Sequence, residues 1–246
     1  MNNSFNEESD IFEISRRLKT EFNENLQVNI VDLLFQLIEL MDVDDEIKGN
    51  LHSKALSCQD KISMMHYAYG NALKALHDFE ATQNMDIPAL YGNDEMEISF
   101  YTESMIIFAR TALDVIATIL FQAIFDKRGD SFNKFSKAIK KDINNNLSVF
   151  KAAFSKYENT SMHAYLLLCG SEKGRALRDQ LIHQTTVKLQ YDEYGNGEKE
   201  QLYIILNKDE EKVQIPYKIF CHLFVLEVDE IVFTMAHAAI DYVQKN

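Results

Sequence analysis

The stretch Glu95–Phe125, EMEISFYTESMIIFARTALDVIATILFQAIF, is apolar around almost its whole circumference. A surface helix shows one apolar stripe, whereas a helix apolar on every side is surrounded by neighbours. The segment therefore predicts a mainly α fold, a helical bundle organised about one buried central helix. Its polar exceptions are Glu103, Arg110 and Asp114, at offsets of 0, 7 and 11 residues. At about 100° per residue these three share a narrow stripe on one face. Charges buried on one stripe have to pair with one another or with an adjacent helix, because isolated ones are costly. A structural ion network is the plainer expectation; support for a nearby polar site is the other.

Moving outward toward the C-terminus, DSFNKFSKAIKK offers Asp130 or Ser131 as an N-cap and then Phe132, Phe135 and Ile139 at helical spacing. Residues 147–157 read as a further helix, and Ser171 can cap the next one. From Val187 the period changes to alternation: VKLQYDEY and QLYIIL flank the tight-turn residues Gly195-Asn196-Gly197, which predicts a β-hairpin near 187–206. EKVQI suggests a third strand, and Pro216 opens a last, nearly all-apolar helix near 217–244.

Toward the N-terminus, residues 11–22 and 27–41 have helical spacing. DVDDEIKGN carries carboxylates in its first turn and Gly49 near its end, predicting a short helix, with a longer one from about Gln59 to Thr82. The proline and glycine of QNMDIPALYGND mark a loop. The expected organisation is an N-terminal helical extension over 1–90, packed on a helical domain over 91–246.

Composition agrees with this and narrows function. The 246 residues contain two prolines and eight glycines, so little interrupts long helices. The three cysteines are odd in number and far apart, which suggests neither a disulfide framework nor a zinc ribbon and fits a reducing compartment. The N-terminal segment is acidic without an apolar signal core, and the greasiest run, VIATILFQAIF, is short for a bilayer. The expectation is a cytoplasmic protein without a membrane span. The net charge of −13 conceals one basic segment, residues 128–188, where 11 Lys/Arg stand against 5 Asp/Glu. A local positive field of that kind attracts phosphate even on an acidic protein, although lysines such as Lys137, Lys140 and Lys141 also serve simply to solvate a helix.

The usual phosphate-loop, zinc-helix, Cys-x-x-Cys and nucleophile-elbow motifs do not occur. His66, His77 and His222 lie on apolar helical stretches, where a satisfied core or boundary histidine is the ordinary reading. No metal or cofactor is expected. What stands out is RALRDQLIHQTT, Arg175–Thr186, inside the basic segment. On an uninterrupted helix, Arg178 and His183 would be separated by about 140°. The β-branched residues that follow end the helix near His183. An arginine in the last turn and a histidine at the terminus can then converge on one phosphate, the cation holding the anion and the imidazole moving a proton. Arg175 and Asp179, at i and i+4, can pair and so limit competition between Asp179 and Arg178.

RDQLIH resembles the Arg-x4–6-His motif of the HEPN superfamily, the higher eukaryotes and prokaryotes nucleotide-binding domains, in which the second position is commonly Asn, Asp or His. ESMIIFARTALDVIATIL is similar to the long central helix of bacterial HEPN-like proteins, and SFNKFSKAI to the short helix after it. The resemblance covers roughly residues 95–190. It implies an all-α bundle that dimerises with two motifs facing each other, and active members are metal-independent RNases. In that picture Arg178 stabilises phosphate charge, His183 is general acid and base, and Asp179 orients one of them. The acidic first ninety residues and the hairpin after His183 depart from the pattern.

Two functions follow as expectations. One is an endoribonuclease acting on RNA through Arg178, Asp179 and His183, a toxin or defence effector that works as a homodimer, with an antitoxin as a candidate protein partner. The other is a non-catalytic HEPN-like module that binds a protein or a nucleotide, in which Arg178 pairs with Asp114 or Glu103 across the bundle and His183 caps its helix.

Overall fold

The structure, a computed structural model, describes residues 29–83, 93–142, 147–158, 164–169, 187–192, 201–208 and 211–245. It is mainly α. Among the described residues the helices are α1 (Ile30–Leu40), α2 (Asp45–Gln83), α3 (Asn93–Phe125), α4 (Phe132–Lys140), α5 (Ser148–Glu158), α6 (Ala164–Cys169) and α7 (Tyr217–Lys245). Between α6 and α7 lie β1 (Lys188–Asp192), β2 (Gln201–Lys208) and β3 (Glu211–Pro216), an antiparallel sheet in the order β1-β2-β3.

The central helix is α3, as its sequence dictates. It packs against α2 along much of its length and against α1, α4, α6, α7 and β1. The α2–α3 pair is antiparallel, for Cys58 donates to the Ala112 carbonyl while Lys61, further along α2, lies over the Phe108 ring, earlier in α3. By length and composition α3 could cross a bilayer, which the short run VIATILFQAIF within it did not suggest. In the bundle, 56% of its most apolar stretch is buried, and Met105, Ile106, Ala109, Ala112, Leu113 and Ile116 are fully so.

Helix α2 corrects the expectation of two helices divided near Gly49. A glycine inside a helix costs only about 1 kcal/mol. Leu51, Ala55, Cys58 and Ile62 repeat at helical spacing beyond it and are all buried, so packing outweighs that cost and the helix runs on. Its start is fixed by Asp44, whose Oδ1 accepts from the Ile47 amide at 2.8 Å.

The end of α3 is sharp. Asp126 adopts a left-handed conformation at φ 49° and its amide closes on the Gln122 carbonyl at 3.1 Å. The chain then turns into α4, and an aromatic cluster including Phe121, Phe132, Phe135, Phe154 and Tyr165 packs α3, α4, α5 and α6 together.

The sheet follows the alternation read from sequence. Leu189, Ile204 and Ile215 form one cross-strand row, with Ile204 and Ile215 buried, and β2 and β3 pack on α7. The turn expected at Asn196-Gly197 lies outside the described residues, as does the helix read at 11–22. The described parts of 1–90 and 91–246 share one hydrophobic core.

Candidate functional site

Arg178, Asp179 and His183 fall within residues 170–186, outside the described residues. The residues at which the chain enters and leaves that segment are described. Both are fastened to α3 by the polar stripe that interrupts its apolar surface.

The entry is at the end of α6. Arg110, 7% exposed, donates through Nη1 to the Leu168 carbonyl at 3.0 Å and to Cys169 Sγ at 3.3 Å. Asn133 of α4 donates through Nδ2 to the Cys169 carbonyl at 3.0 Å. Two carbonyls that the end of α6 leaves without helical partners are thereby satisfied from outside. The positive guanidinium also complements the negative end of the short helix. Burial pushes the Cys169 thiol up to about 12 while the Arg110 charge pulls the other way, so the sulfur serves here as a neutral acceptor.

Arg110 is itself held by Asp114 one turn on. Its Nε donates to Oδ2 at 3.0 Å and its Nη2 lies 2.8 Å from Oδ1, a bidentate pair; Nη2 also reaches Ser131 Oγ at 3.5 Å. The five guanidinium N–H groups thus have five acceptors: two carboxylate oxygens, a carbonyl, a thiol and a hydroxyl. No donor remains for a substrate, and Arg110 is a positioning residue.

Asp114 has a second task. Its Oδ1 accepts from the Phe132 amide at 2.9 Å, so the cap of α4 comes from the central helix. Ser131 occupies the N-cap position but makes no side-chain cap bond. The expected capping by Asp130 or Ser131 is corrected accordingly: Asp130 instead pairs with Lys134 at 2.8 Å on the surface, and the Ser131 hydroxyl faces Arg110.

The exit is at Val187, the buried residue before β1, whose amide donates to Glu103 Oε1 at 2.9 Å. Glu103 and Arg110 are seven residues apart, about 10 Å along the axis. Within the stripe Arg110 and Asp114 form an ion pair while Glu103 takes a backbone amide, and together they hold Leu168, Cys169 and Val187, the described residues on either side of 170–186, to the central helix.

Sequence reasoning did not find Asn133 or Cys169 as partners of this network. Asn133 is one polar residue among several on an amphipathic helix, and nothing local to Cys169 marks it as an acceptor. Nor did it find the carboxylates that satisfy two of the helices. Glu227 of α7, almost buried, accepts from the Ala164 amide at the start of α6, and Asp229 lies 2.9 Å from His66 Nε2. The second contact agrees with the reading of His66 as a satisfied boundary histidine. His222 is likewise satisfied, its Nδ1 lying 3.1 Å from the Tyr69 hydroxyl, while His77 is exposed.

Compared with protein-family models, with curated proteins and with solved structures, the chain matches none.

Proposed function

We propose that this chain is a HEPN-like, metal-independent endoribonuclease whose site is made by Arg178, Asp179 and His183 and shared across a homodimer. The observation that carries the reading is that the residues on both sides of the 170–186 segment are fastened to the bundle, Leu168 by Arg110 of α3, Cys169 by Asn133 of α4, and Val187 by Glu103 of α3. A catalytic pair has to be held in register, and a segment anchored at both ends on a buried helix supplies that constraint. The same segment lies in the one basic part of an acidic chain.

The chemistry needs no group beyond the RNA and these side chains. His183 removes the proton of a ribose 2′-hydroxyl; the 2′-oxygen bonds to the adjacent phosphorus, the bond from phosphorus to the 5′-oxygen breaks, and a proton returns to that oxygen. The products are a 2′,3′-cyclic phosphate and a 5′-hydroxyl. Arg178 balances the charge gathering on the phosphoryl oxygens, and Asp179 orients one of the other two residues. Two motifs facing across a two-fold axis bring two arginines together, and an anion between them relieves their repulsion. A cytoplasmic toxin or defence effector, restrained by a protein antitoxin, is the setting this activity fits.

The test is incubation of the purified chain with mixed single-stranded RNA in chelator, with the ends of any products identified, alongside light scattering with and without phosphate. Cyclic-phosphate products from a dimer support the reading; intact RNA or a monomer under both conditions overturns it.

A non-catalytic interaction module is the second reading, and one observation favours it. Leu56, Met64 and Tyr67 are 53%, 42% and 71% exposed on the outward side of α2, a row of apolar side chains suited to a protein partner.

A further inference from the structure

Helix α7 is buried on most of its surface, yet it carries three carboxylates within one turn, Glu227, Asp229 and Glu230. Each is answered by a different chemistry. Glu227 takes the backbone amide of Ala164, and Glu230 takes Lys156 of α5 at 2.6 Å. Asp229, whose side chain is 5% exposed, takes the Nε2 of His66, whose ring is 45% exposed on α2. An amide does not titrate and a lysine titrates far above neutrality. Asp229 alone depends on a partner whose charge changes in the physiological range.

We propose that His66 and Asp229 form a pH-sensitive latch between α2 and α7, closed while His66 is protonated and loosening as the ring gives up its proton. A buried carboxylate is tolerated when an opposite charge and a hydrogen bond accompany it. Deprotonation of the ring leaves the Nε2–H bond in its neutral tautomer but removes the charge, and Asp229 then sits in the α2–α7 seam with a dipole for company. The same seam holds the Tyr69–His222 contact, two turns earlier on α7 and one turn later on α2.

The surrounding charges do not substitute for either partner. On α1, Glu39 is engaged by Lys48 and His52; on α3, Arg110 and Asp114 hold each other and Glu103 holds Val187; Lys156 of α5 holds Glu230; and Lys218 of α7 holds Glu80 of α2. Among the described residues, the charge that acts on His66 is Asp229, and the charge that acts on Asp229 is His66.

The sign follows from both partners. His66 is raised above 6.5, chiefly by its hydrogen bond to Asp229 and further by the carboxylate's charge, against the opposing effect of burial. A basic group with a raised folded pKa contributes stability that is full below about 6.5 and is lost as pH rises through the folded value. Asp229 is raised above 3.8 by burial, with His66 opposing, so its ionisation also disfavours the folded state as pH rises. Both act in the same direction, and the window that matters near neutrality opens at about 6.5 and extends upward to the folded value of His66.

The test uses the full chain. The His66 ring is titrated by NMR, assigned by its loss in His66→Gln, and urea unfolding is measured from about pH 6 to about pH 9 for the wild type, His66→Gln and Asp229→Asn. The expected result is a wild-type folding constant that falls with a slope approaching tenfold per pH unit within the window, and a much flatter profile in His66→Gln. The ring in Asp229→Asn should titrate at or below about 6.5, because burial then acts without the opposing carboxylate charge. If Asp229→Asn does not fold, the other two measurements still decide. A wild-type ring titrating at or below the ordinary value, or a His66→Gln profile as steep as the wild type, overturns the proposal.

Discussion

Arg110 donates to the main-chain carbonyl of Leu168 at 3.0 Å, joining the middle of the central helix to the last turn of α6. The contact is made by a guanidinium whose other donors are already committed to Asp114, Cys169 and Ser131. Removing it therefore undoes several attachments together. Arg110→Met should destabilise by about 3 kcal/mol, because a carboxylate and a carbonyl lose their partner at once. Asp114 keeps 27% of its side chain exposed, and water holds the cost to the low end of the range for buried pairs. Arg110→Lys keeps the charge but not the fork, and should fall between the two. The midpoint of urea unfolding at unchanged slope reports the loss; a shift equivalent to under about 0.5 kcal/mol for the methionine variant would contradict it.

Gly129 lies so close to the Phe121 ring that a Cβ added there would sit 2.0 Å from Cδ2. The ring cannot easily swing away, since it meets Phe135 edge-on at 5.5 Å and packs beside Phe125 at 5.8 Å. Gly129→Ala should cost about 1–3 kcal/mol by overpacking. Phe121→Leu removes the obstructing edge, so the double variant should be less destabilised than the sum of the two single ones. Additive free energies in that double-mutant cycle would show that the turn relaxes elsewhere.

How much of this was legible follows the range of each interaction. The central helix was readable because it is apolar on nearly every side, and the amphipathic α4 and the alternating strands because a single apolar period fixes each. The length of α2 was not, since Gly49 gave a local stop signal and the buried repeat Leu51, Ala55, Cys58 and Ile62 carried the opposing tertiary one. The stripe Glu103, Arg110 and Asp114 was readable as a set, but its partners were not. A carboxylate that caps a helix eighteen positions away, as Asp114 does at Phe132, leaves no periodic trace, and neither does an amide at Val187. The segment carrying Arg178 and His183 was legible as a motif, while the geometry found is that of its two ends.

Thr102 and Tyr217 share a hydroxyl contact at 2.5 Å between α3 and the start of α7. Thr102 Oγ1 also donates to the Ile98 carbonyl at 2.7 Å, which uses its single proton, so Tyr217 is the donor in the shared bond. The two removals are then unequal. Tyr217→Phe leaves Thr102 bonded to Ile98 and should cost about 1 kcal/mol. Thr102→Val leaves the buried tyrosine hydroxyl with only the weakly accepting sulfur of Cys221 and should cost more, about 1–3 kcal/mol. Thermal unfolding of the pair of variants checks the order, and the reverse order would mean that the Cys221 sulfur suffices for the tyrosine hydroxyl.

The proposed cleavage makes the sharpest demand. His183→Ala removes the group that moves the proton, and Arg178→Ala removes the charge that meets the phosphate; each should lower the cleavage rate by about 10²–10⁴-fold, roughly 3–5 kcal/mol of transition-state stabilisation. Asp179→Ala should lose less, because a neighbour that orients a group matters less than the group itself. Glu103→Ala tests the anchoring separately: it releases the Val187 amide at one end of the segment without touching RNA in the proposed mechanism. Its rate should fall to an intermediate level, while its chelator resistance and product ends stay those of the wild type. Stability measurements on the same proteins separate chemistry from folding. A His183→Ala protein that folds and cleaves as fast as its parent would remove the enzymatic reading and leave the interaction module in its place.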